Sequence, residues 1–304
     1  MSQEQRLMLD GMLRNGPLDV GGDIAEQRKI FEAMLTAHPL PDDVTTAATE
    51  LGGVPVITSR TPGTDPTLVI LYLHGGAYVI GSAATAMGLS SDVARRAGAR
   101  GVTVDYRLAP EHPFPAAVDD TVAVYRALLD EGVPSSKIAF VGESAGGGLT
   151  VAALIAIKEA GLPQPASAVV FSPWADLSLS GTSITGKADV DPALTPAALR
   201  TRAADYLAGA DARSPLASPL FADLAGLAPL HIQVGSHEIL LDDAIRLAAR
   251  AAEYDVPVEL QVWPQVPHIF QAFAALLDDA EAALQAASAF TTRHWADQSQ
   301  SQAA

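Results

Sequence analysis

Short apolar runs rich in β-branched residues recur along the chain, with helix-like segments between them. The predicted strands are residues 54–58, 68–73, 101–105, 138–141, 168–171, 230–234 and 258–262. The predicted helices between and after them are residues 85–97, 116–131, 145–160, 242–254 and 278–292. Most of the apolar runs are continuous, as strands buried on both faces require. This alternation predicts an α/β fold with a mostly parallel central sheet flanked by helices.

Two long segments fall outside this alternation. Residues 1–45 are polar and helix-like and precede any strand signal, and residues 176–225 form an insertion with a predicted helix start at Thr195-Pro196. Because ligands bind at the carboxyl edge of such sheets, we expect both segments to form a helical cap there. The predicted organisation is a cap in two parts (1–45 and 176–225), an α/β domain in two parts (46–175 and 226–295) and a disordered tail (296–304).

Charge and cysteine content exclude several classes of function. The chain has 304 residues, with 19 Lys and Arg against 35 Asp and Glu, and its net charge of −16 disfavours nucleic-acid binding. It has no cysteine, which excludes disulfides, thiolate metal sites and a cysteine nucleophile. No secretory signal is recognisable at the start of the sequence, so we expect a cytoplasmic protein. Residues 67–91 lack charged side chains, but two glycines in their middle argue against a membrane span.

The sharpest local signal is Gly142-Glu143-Ser144-Ala145-Gly146. An apolar strand at 138–141 leads into it, and an apolar helix continues from it. A strand, a tight turn and a helix around a serine predict a nucleophile elbow, in which Ser144 Oγ is presented in the open. Glycines are expected on either side because the turn leaves no room for side chains. The alternative is a glycine-rich phosphate loop, but the Lys-Ser/Thr pair of a P-loop is missing.

A second glycine cluster, His74-Gly75-Gly76-Ala77-Tyr78, follows the predicted strand at 68–73. An acyl-transfer enzyme must stabilise an oxyanion, and backbone N–H groups do so without reorganising. We therefore predict an oxyanion hole formed by the N–H groups of Gly75, Gly76 and Ala145. His74 could serve as a catalytic base, but a residue that opens such a loop is better interpreted as a brace for it.

Three sequence blocks resemble the bacterial esterase branch of the hormone-sensitive lipase family of α/β-hydrolases. They are HGGAY at 74–78, YRLAPEHPFPAAVDD at 106–120 and GESAGGG at 142–148, and the likeness extends from about residue 50 to 292. Two departures are Ala77 at the usual third glycine and Glu143 where aspartate is common. The resemblance implies an α/β-hydrolase fold and a carboxylesterase for small or short-chain acyl esters, with lactones as a further substrate class. It also implies a brace in which Asp105, Arg107 and Glu111 pair behind the glycine loop, with His112 in the core.

A serine nucleophile needs a histidine base and an acid, which together form a catalytic triad. The base should follow the last strand, because the triad residues of this fold come in the order Ser, acid, His along the chain. Of the seven histidines, His268 alone lies between the last predicted strand and the C-terminal helix. We predict that it is the catalytic base. His231 lies within a predicted strand, His294 lies in the final helix or tail, and His38 precedes the first strand.

The acid of the triad has three candidates after the strand at 230–234: Glu238, Asp242 and Asp243. The two aspartates begin a predicted helix, where N-cap and first-turn roles account for them. Glu238 has no such role, so we predict that it orients His268, and this resembles a branch of the family that uses glutamate. No function is predicted for the neighbouring His237.

No metal-ligand motif such as His-Glu-x-x-His occurs, so neither a metal nor another cofactor is predicted. Tyr78, Trp174 and Phe270 are predicted walls of the substrate pocket, although core packing explains Trp174 nearly as well. The favoured function is a serine carboxylesterase acting on a small-molecule ester. The alternative is a non-catalytic small-molecule receptor on the same fold, and an amidase is a weaker one. A homodimer is expected by analogy.

Overall fold

The protein is described by a computed structural model that covers residues 3–37 and 39–301. His38 and residues 302–304 lie outside the described residues. In chain order the helices are α1 (Gln3–Arg14), α2 (Ile24–Leu35), α3 (Met87–Arg96), α4 (Ala116–Asp130), α5 (Ala145–Glu159), α6 (Ser183–Gly186), α7 (Pro196–Leu207), α8 (Leu241–Glu253) and α9 (Asp278–Ser301). The strands are β1 (Thr45–Leu51), β2 (Val54–Arg60), β3 (Asp65–Leu73), β4 (Ala99–Val104), β5 (Ile138–Glu143), β6 (Ser167–Phe171), β7 (Leu230–Gly235) and β8 (Val258–Trp263).

The strands form one sheet in the order β1-β2-β4-β3-β5-β6-β7-β8. The pairs β1–β2 and β2–β4 are antiparallel, and every later pair is parallel. The α/β fold with a mostly parallel sheet is therefore confirmed, and each predicted strand is present. The sequence analysis missed β1, because its residues are exposed except for Leu51 and so carry no apolar pattern.

Successive side chains of a strand point to opposite faces of the sheet, where they pack into two separate apolar cores. In β3, Val69, Leu71 and Leu73 join the larger core, which also contains side chains of α4, α5 and α8. Ile70 and Tyr72 point the other way and join a second core beneath α3 and α9. Since both faces are covered, β6 and β7 are buried along their whole length, and β5 is buried except at Glu143.

The two segments predicted to form a cap contact each other. Gly21 approaches α7 so closely that a Cβ placed on it would lie 3.1 Å from the Cβ of Ala198. The predicted helix start is confirmed, since Pro196 is the first residue of α7 and Thr195 caps it by accepting the N–H of Ala198 at 3.1 Å. Arg14 of α1 also contacts the inserted segment, since it donates to the carbonyl oxygen of Val190 at 3.1 Å.

The last helix extends beyond its predicted end. Helix α9 runs to Ser301, into the segment 296–304 that the sequence analysis expects to be disordered. No glycine or proline follows Asp278, so nothing in the sequence terminates the helix earlier. Among the described residues, no helix is both long and apolar enough to span a membrane.

Candidate active site

Ser144 lies at the turn between β5 and α5 in a conformation that side-chain-bearing residues rarely adopt. Its φ is 53° and its ψ is −122°. Two backbone bonds hold the turn: the N–H of Ser144 donates to Phe171 O, and the N–H of Trp174 donates to Ser144 O, each at 2.9 Å. The surrounding structure thus fixes the strained backbone of a nucleophile elbow.

The glycines on either side of Ser144 are required by close backbone contacts. A Cβ on Gly142 would collide with the carbonyl oxygen of Gly146. A Cβ on Gly146 would collide in turn with the carbonyl oxygens of Leu73 and His74. The prediction that this turn leaves no room for side chains is confirmed.

The structure brings Ser144, His268 and Glu238 together from the ends of three different strands. His268 Nε2 lies 2.9 Å from Ser144 Oγ, and His268 Nδ1 lies 2.7 Å from Glu238 Oε2. With its proton on Nδ1, the ring donates to the carboxylate and accepts the serine hydroxyl. Ser144 and His268 are only 7% and 8% exposed, so this chain of hydrogen bonds is nearly shielded from water.

The carboxylate of Glu238 is completely buried and is fixed by further donors. Its Oε1 accepts the N–H of Gly235 at 2.6 Å and the hydroxyl of Ser172 at 2.8 Å. The oxygen of Ser172 also accepts the N–H of Ile269, next to His268, at 3.2 Å. Ser172 therefore ties the acid to the loop of the base. The sequence analysis missed it, although its position directly after β6 places it at the same edge of the sheet as Ser144.

Asp242 and Asp243, the other two acid candidates, are committed elsewhere. Both lie in the first turn of α8, as predicted, but the predicted capping role is wrong, since the N-cap residue Leu240 makes no side-chain capping bond. Their carboxylates instead accept hydrogen bonds from the inserted segment. Asp242 binds Thr182 Oγ1 at 2.6 Å and the N–H of Ser183 at 2.9 Å, and Asp243 binds the N–H groups of Ala175 and Asp176, each at 2.9 Å.

Neighbouring charges raise the pKa of His268. Burial by itself lowers this pKa, but the hydrogen bond to Glu238 and its negative charge outweigh the effect. The charges of Asp191 and Glu143 act in the same direction. The pocket thus stabilises an imidazolium, which is the species formed when His268 takes a proton from Ser144.

The glycine loop lies directly beside Ser144. A Cβ built on Gly75 would be 3.2 Å from the Cβ of Ser144, and Gly76 has a φ of 110°. The N–H of Gly75 donates to Glu143 Oε1 at 3.2 Å. Within the described part of the chain, no acceptor bonds the N–H groups of Gly76 or Ala145. Of the three predicted oxyanion donors, two are thus free and one is bound to a side chain.

His74 braces the glycine loop and does not contact Ser144. Its Nδ1 lies 2.7 Å from the carbonyl oxygen of Gly75, its ring stacks on Tyr106 with centroids 4.1 Å apart, and Tyr106 Oη donates to His74 O at 2.7 Å. Burial lowers the pKa of His74 to about 4, so the ring is neutral at pH 7. These contacts agree with its interpretation as a brace.

The charged residues expected to pair with one another behind the glycine loop have other partners. Arg107 pairs with Asp120 at 2.7 Å, Glu111 pairs with Arg28 at 2.7 Å, and Asp105 accepts the N–H of Ala83 at 2.8 Å. His112, expected in the core, is exposed. The predicted pairing is therefore wrong: Arg107 binds Asp120 at the end of the same block, whereas Glu111 binds Arg28 of α2, 83 positions away in the sequence.

The three predicted pocket walls do not lie together. Tyr78 and Trp174 are buried in the larger core with ring centroids 6.2 Å apart, and Tyr78 stacks on Tyr206 at 3.8 Å. Phe270 belongs to a separate apolar cluster with Leu9 and other residues near α1 and α9. The structure thus pairs Tyr78 with Trp174 and places Phe270 apart from both.

His237 lines a cleft of about 290 Å³ between α1 and the loops that follow β7 and β8. Other lining residues include Arg6, Arg14, Gln265 and Pro267. Among the described residues, no group of three or more His, Asp or Glu side chains could hold a metal ion.

The geometry can support acyl transfer through a serine nucleophile. A hydroxyl is bonded to an imidazole, the imidazole is bonded to a buried carboxylate, and free backbone N–H groups flank the serine. These are the groups needed to activate an oxygen nucleophile and to bind an oxyanion.

The protein-family profile described as the alpha/beta hydrolase fold matches residues 70–272. An acetyl-hydrolase of Streptomyces hygroscopicus is 48% identical over 221 residues, which cover 73% of this chain and 74% of that protein. The crystal structure of an esterase from the bacterial hormone-sensitive lipase family has a TM-score of 0.93 and 44% identity, and covers 97% of this chain and 99% of that one. The esterase EstE5, soaked with p-nitrophenyl butyrate, has a TM-score of 0.93 and 40% identity over 97% of this chain and 100% of that one.

Proposed function

Because the chain belongs to the hormone-sensitive lipase family of α/β-hydrolases and is a carboxylic ester hydrolase, we propose that it hydrolyses small or short-chain acyl esters with Ser144, His268 and Glu238 as its catalytic triad. The observation that carries this assignment is the pair of hydrogen bonds at 2.9 and 2.7 Å that links the three side chains. Asp242 and Asp243 make their bonds to the inserted segment, which leaves Glu238 as the acid.

In this mechanism Ser144 Oγ attacks the ester carbonyl carbon while His268 Nε2 takes its proton. Glu238 holds the Nδ1–H tautomer and stabilises the imidazolium. The protonated ring then gives its proton to the departing alkoxide, which leaves as the alcohol. Water, deprotonated by His268, attacks the acyl-serine. When this second tetrahedral intermediate collapses, the protonated ring returns its proton to Ser144 Oγ and the carboxylic acid is released.

The oxyanion formed in each attack is held by the N–H groups of Gly75, Gly76 and Ala145. Two of them are free, and Gly75 exchanges its 3.2 Å bond to Glu143 for one to the substrate. Each oxyanion donor of this type contributes about 3–4 kcal/mol to lowering the barrier.

The proposed substrates carry short acyl groups. The acetyl-hydrolase relative and the neighbour soaked with p-nitrophenyl butyrate support this size class. The buried rings of Tyr78 and Trp174 support an apolar wall for the acyl chain near the elbow. Lactones present the same carbonyl chemistry in a ring and form a second proposed substrate class. No cofactor enters the proposed steps.

The test is hydrolysis of p-nitrophenyl acetate, butyrate and octanoate by the wild type and by Ser144→Ala. We expect turnover of the two shorter esters by the wild type and loss of more than about 1,000-fold in the variant. Circular dichroism checks that the variant is folded. Activity that survives in folded Ser144→Ala refutes the assignment of the nucleophile. A wild type that binds esters without turning them over would point instead to a small-molecule receptor.

Three further expectations are proposed with the function. The net charge of −16 supports a small-molecule substrate rather than a nucleic acid. The outer strand β8, with Leu260 and Val262 exposed by 37% and 45%, supports a homodimer through that edge, which light scattering tests. A cytoplasmic location stays a prediction that cell fractionation tests.

A further inference from the structure

Asp191 is a buried carboxylate of the inserted segment with no role in the steps above. It is 5% exposed, and its oxygens accept hydrogen bonds from backbone N–H groups. Oδ1 accepts the N–H groups of Ala193 and Leu194 at 2.8 and 2.9 Å, which closes the turn before α7. Oδ2 accepts the N–H of Ile239 at 2.8 Å.

The bond to Ile239 joins two parts of the molecule at the triad acid. Ile239 directly follows Glu238, so the carboxylate of Asp191 holds the backbone of the turn that carries the acid. The other side of the same residue is also held, because Ser183 Oγ donates to the carbonyl oxygen of Ile239 at 2.6 Å. The inserted segment therefore clamps Ile239 through both of its backbone polar groups.

Asp191 also contributes charge at the imidazole of His268. Three carboxylates act on that ring from three elements: Glu238 after β7, Glu143 at the end of β5, and Asp191 in the insertion. Each favours the protonated imidazolium. Burial raises the pKa of Asp191 above its ordinary value, and the positive charge on His268 and the backbone donors oppose this only in part. A charge fixed by hydrogen bonds to main-chain donors needs no reorganisation when the imidazolium forms.

We propose that Asp191 is a positioning residue for ester hydrolysis, which fixes the turn bearing Glu238 and adds a further buried negative charge that stabilises the imidazolium of His268. This inference rests on the proposed triad. It assigns the inserted segment a part in catalysis as well as in covering the site.

The test compares neutral variants at two positions of the same segment. Asp191→Asn removes the charge and keeps one acceptor oxygen in place of two, and Asp191→Ser also removes the charge and keeps a single hydroxyl acceptor. Asp189→Asn is the matched control, because this substitution also removes one negative charge but at an exposed residue two positions away. The measurement is the pH profile of kcat/KM for p-nitrophenyl butyrate, with circular dichroism to select folded variants.

We expect the acid limb of the profile to move to lower pH by about half a unit or more in Asp191→Asn. The base must be neutral to act, and loss of a neighbouring negative charge lowers the pKa at which it becomes protonated. We also expect kcat at the plateau to fall by about tenfold, since the imidazolium formed in the transition state loses a stabilising charge. In Asp189→Asn both quantities should stay at the wild-type values.

An acid limb that stays in place in a folded neutral variant overturns the proposal, even if kcat falls, because a purely structural role would lower activity without moving the limb. If Asp191→Asn does not fold, the same criterion applies to Asp191→Ser. The Ser144→Ala control separates this inference from the function on which it rests. Activity that survives in Ser144→Ala refutes the triad itself, whereas loss there with an unshifted limb at Asp191 refutes only the present inference.

Discussion

Replacement of Glu238 by glutamine changes one atom of the carboxylate and should abolish most of the activity. In the wild type, Oε1 accepts two donors, Gly235 N–H at 2.6 Å and Ser172 Oγ–H at 2.8 Å, and Oε2 accepts Nδ1–H of His268 at 2.7 Å. Glutamine has one acceptor oxygen and one donor NH₂. The oxygen must stay with the two donors, so the NH₂ group faces Nδ1 of His268.

An NH₂ group cannot accept a proton from Nδ1, so the ring must place its proton on Nε2 instead. Nε2–H then points at Ser144 Oγ, 2.9 Å away, and can no longer remove the serine proton. A comparable change of tautomer in a serine protease triad lowers kcat by about 10⁴-fold. We expect a fall of about 10³–10⁴-fold here, equivalent to about 4–5 kcal/mol in the barrier.

The assay is initial-rate hydrolysis of p-nitrophenyl butyrate on the alkaline plateau of the wild-type pH profile, where His268 is neutral. Asp242→Asn is the matched control: it removes a carboxylate charge four residues away that binds Thr182 and Ser183. We expect kcat of this control within about twofold of the wild type, because both bonds end on one oxygen, Oδ2, which the amide oxygen of asparagine can replace. The reasoning is refuted if folded Glu238→Gln keeps more than a tenth of the activity, or if the control loses it.

Three other changes test the scaffold around the site. Arg28→Met removes a guanidinium that donates to two backbone carbonyls and to the half-exposed Glu111. Urea unfolding should therefore show a free energy of unfolding lower by about 2–3 kcal/mol, and an unchanged midpoint would contradict this. Gly146→Ala places a Cβ against two carbonyl oxygens and should lower the free energy of unfolding by at least about 3 kcal/mol or prevent folding. Its control is Gly186→Ala, which has nothing within 4 Å of the added Cβ and should change stability by less than about 1 kcal/mol. Equal losses in the two variants would refute the steric argument. His74 has a pKa lowered to about 4 in the folded protein, so the stability it contributes is present above its ordinary pKa near 6.5 and is lost as the pH falls toward 4. In His74→Asn, urea unfolding between pH 7 and 4 should therefore depend less on pH than in the wild type, and parallel curves would exclude this role.

The parts of the fold that depend on local sequence were predictable. The inner strands were predictable from apolar runs, because a strand buried on both faces shows no regular alternation of polar and apolar residues. The elbow was predictable because an apolar strand leads into Gly142-Glu143-Ser144-Ala145-Gly146 and an apolar helix follows it. In contrast, β1 pairs only with β2 at the edge of the sheet, and its exposed threonines and alanines resemble a polar loop.

The candidate site was predictable where a residue's position along a strand decided its role. His268 was identified by its place after the last strand, and Glu238 was chosen over the aspartates of the following helix. One reason for preferring Glu238 was an expected N-cap role for an aspartate at the start of α8. The structure shows no side-chain capping bond there, and Asp242 and Asp243 accept other hydrogen bonds instead.

The residues that support the site could not be found from sequence, because their partners are far away along the chain. Ser172 lies 66 positions from Glu238, and Asp191 lies 48 positions from Ile239. Serine and aspartate are common in loops, where most of them serve local turns. Their function became visible only when the fold had brought the loops after β6 and β7 to one edge.

The placement of the proposed triad on three separate strands makes activity a reporter of complete folding. Ser144 and His268 are 124 positions apart, and Glu238 and His268 are 30 apart, so their contacts require β5, β7 and β8 to be docked in register. Pairings between strands distant in sequence are slow to form. During refolding, secondary structure should therefore return before ester hydrolysis does, and the delay between the two signals measures the time the chain needs to add the strands that carry its acid and its base.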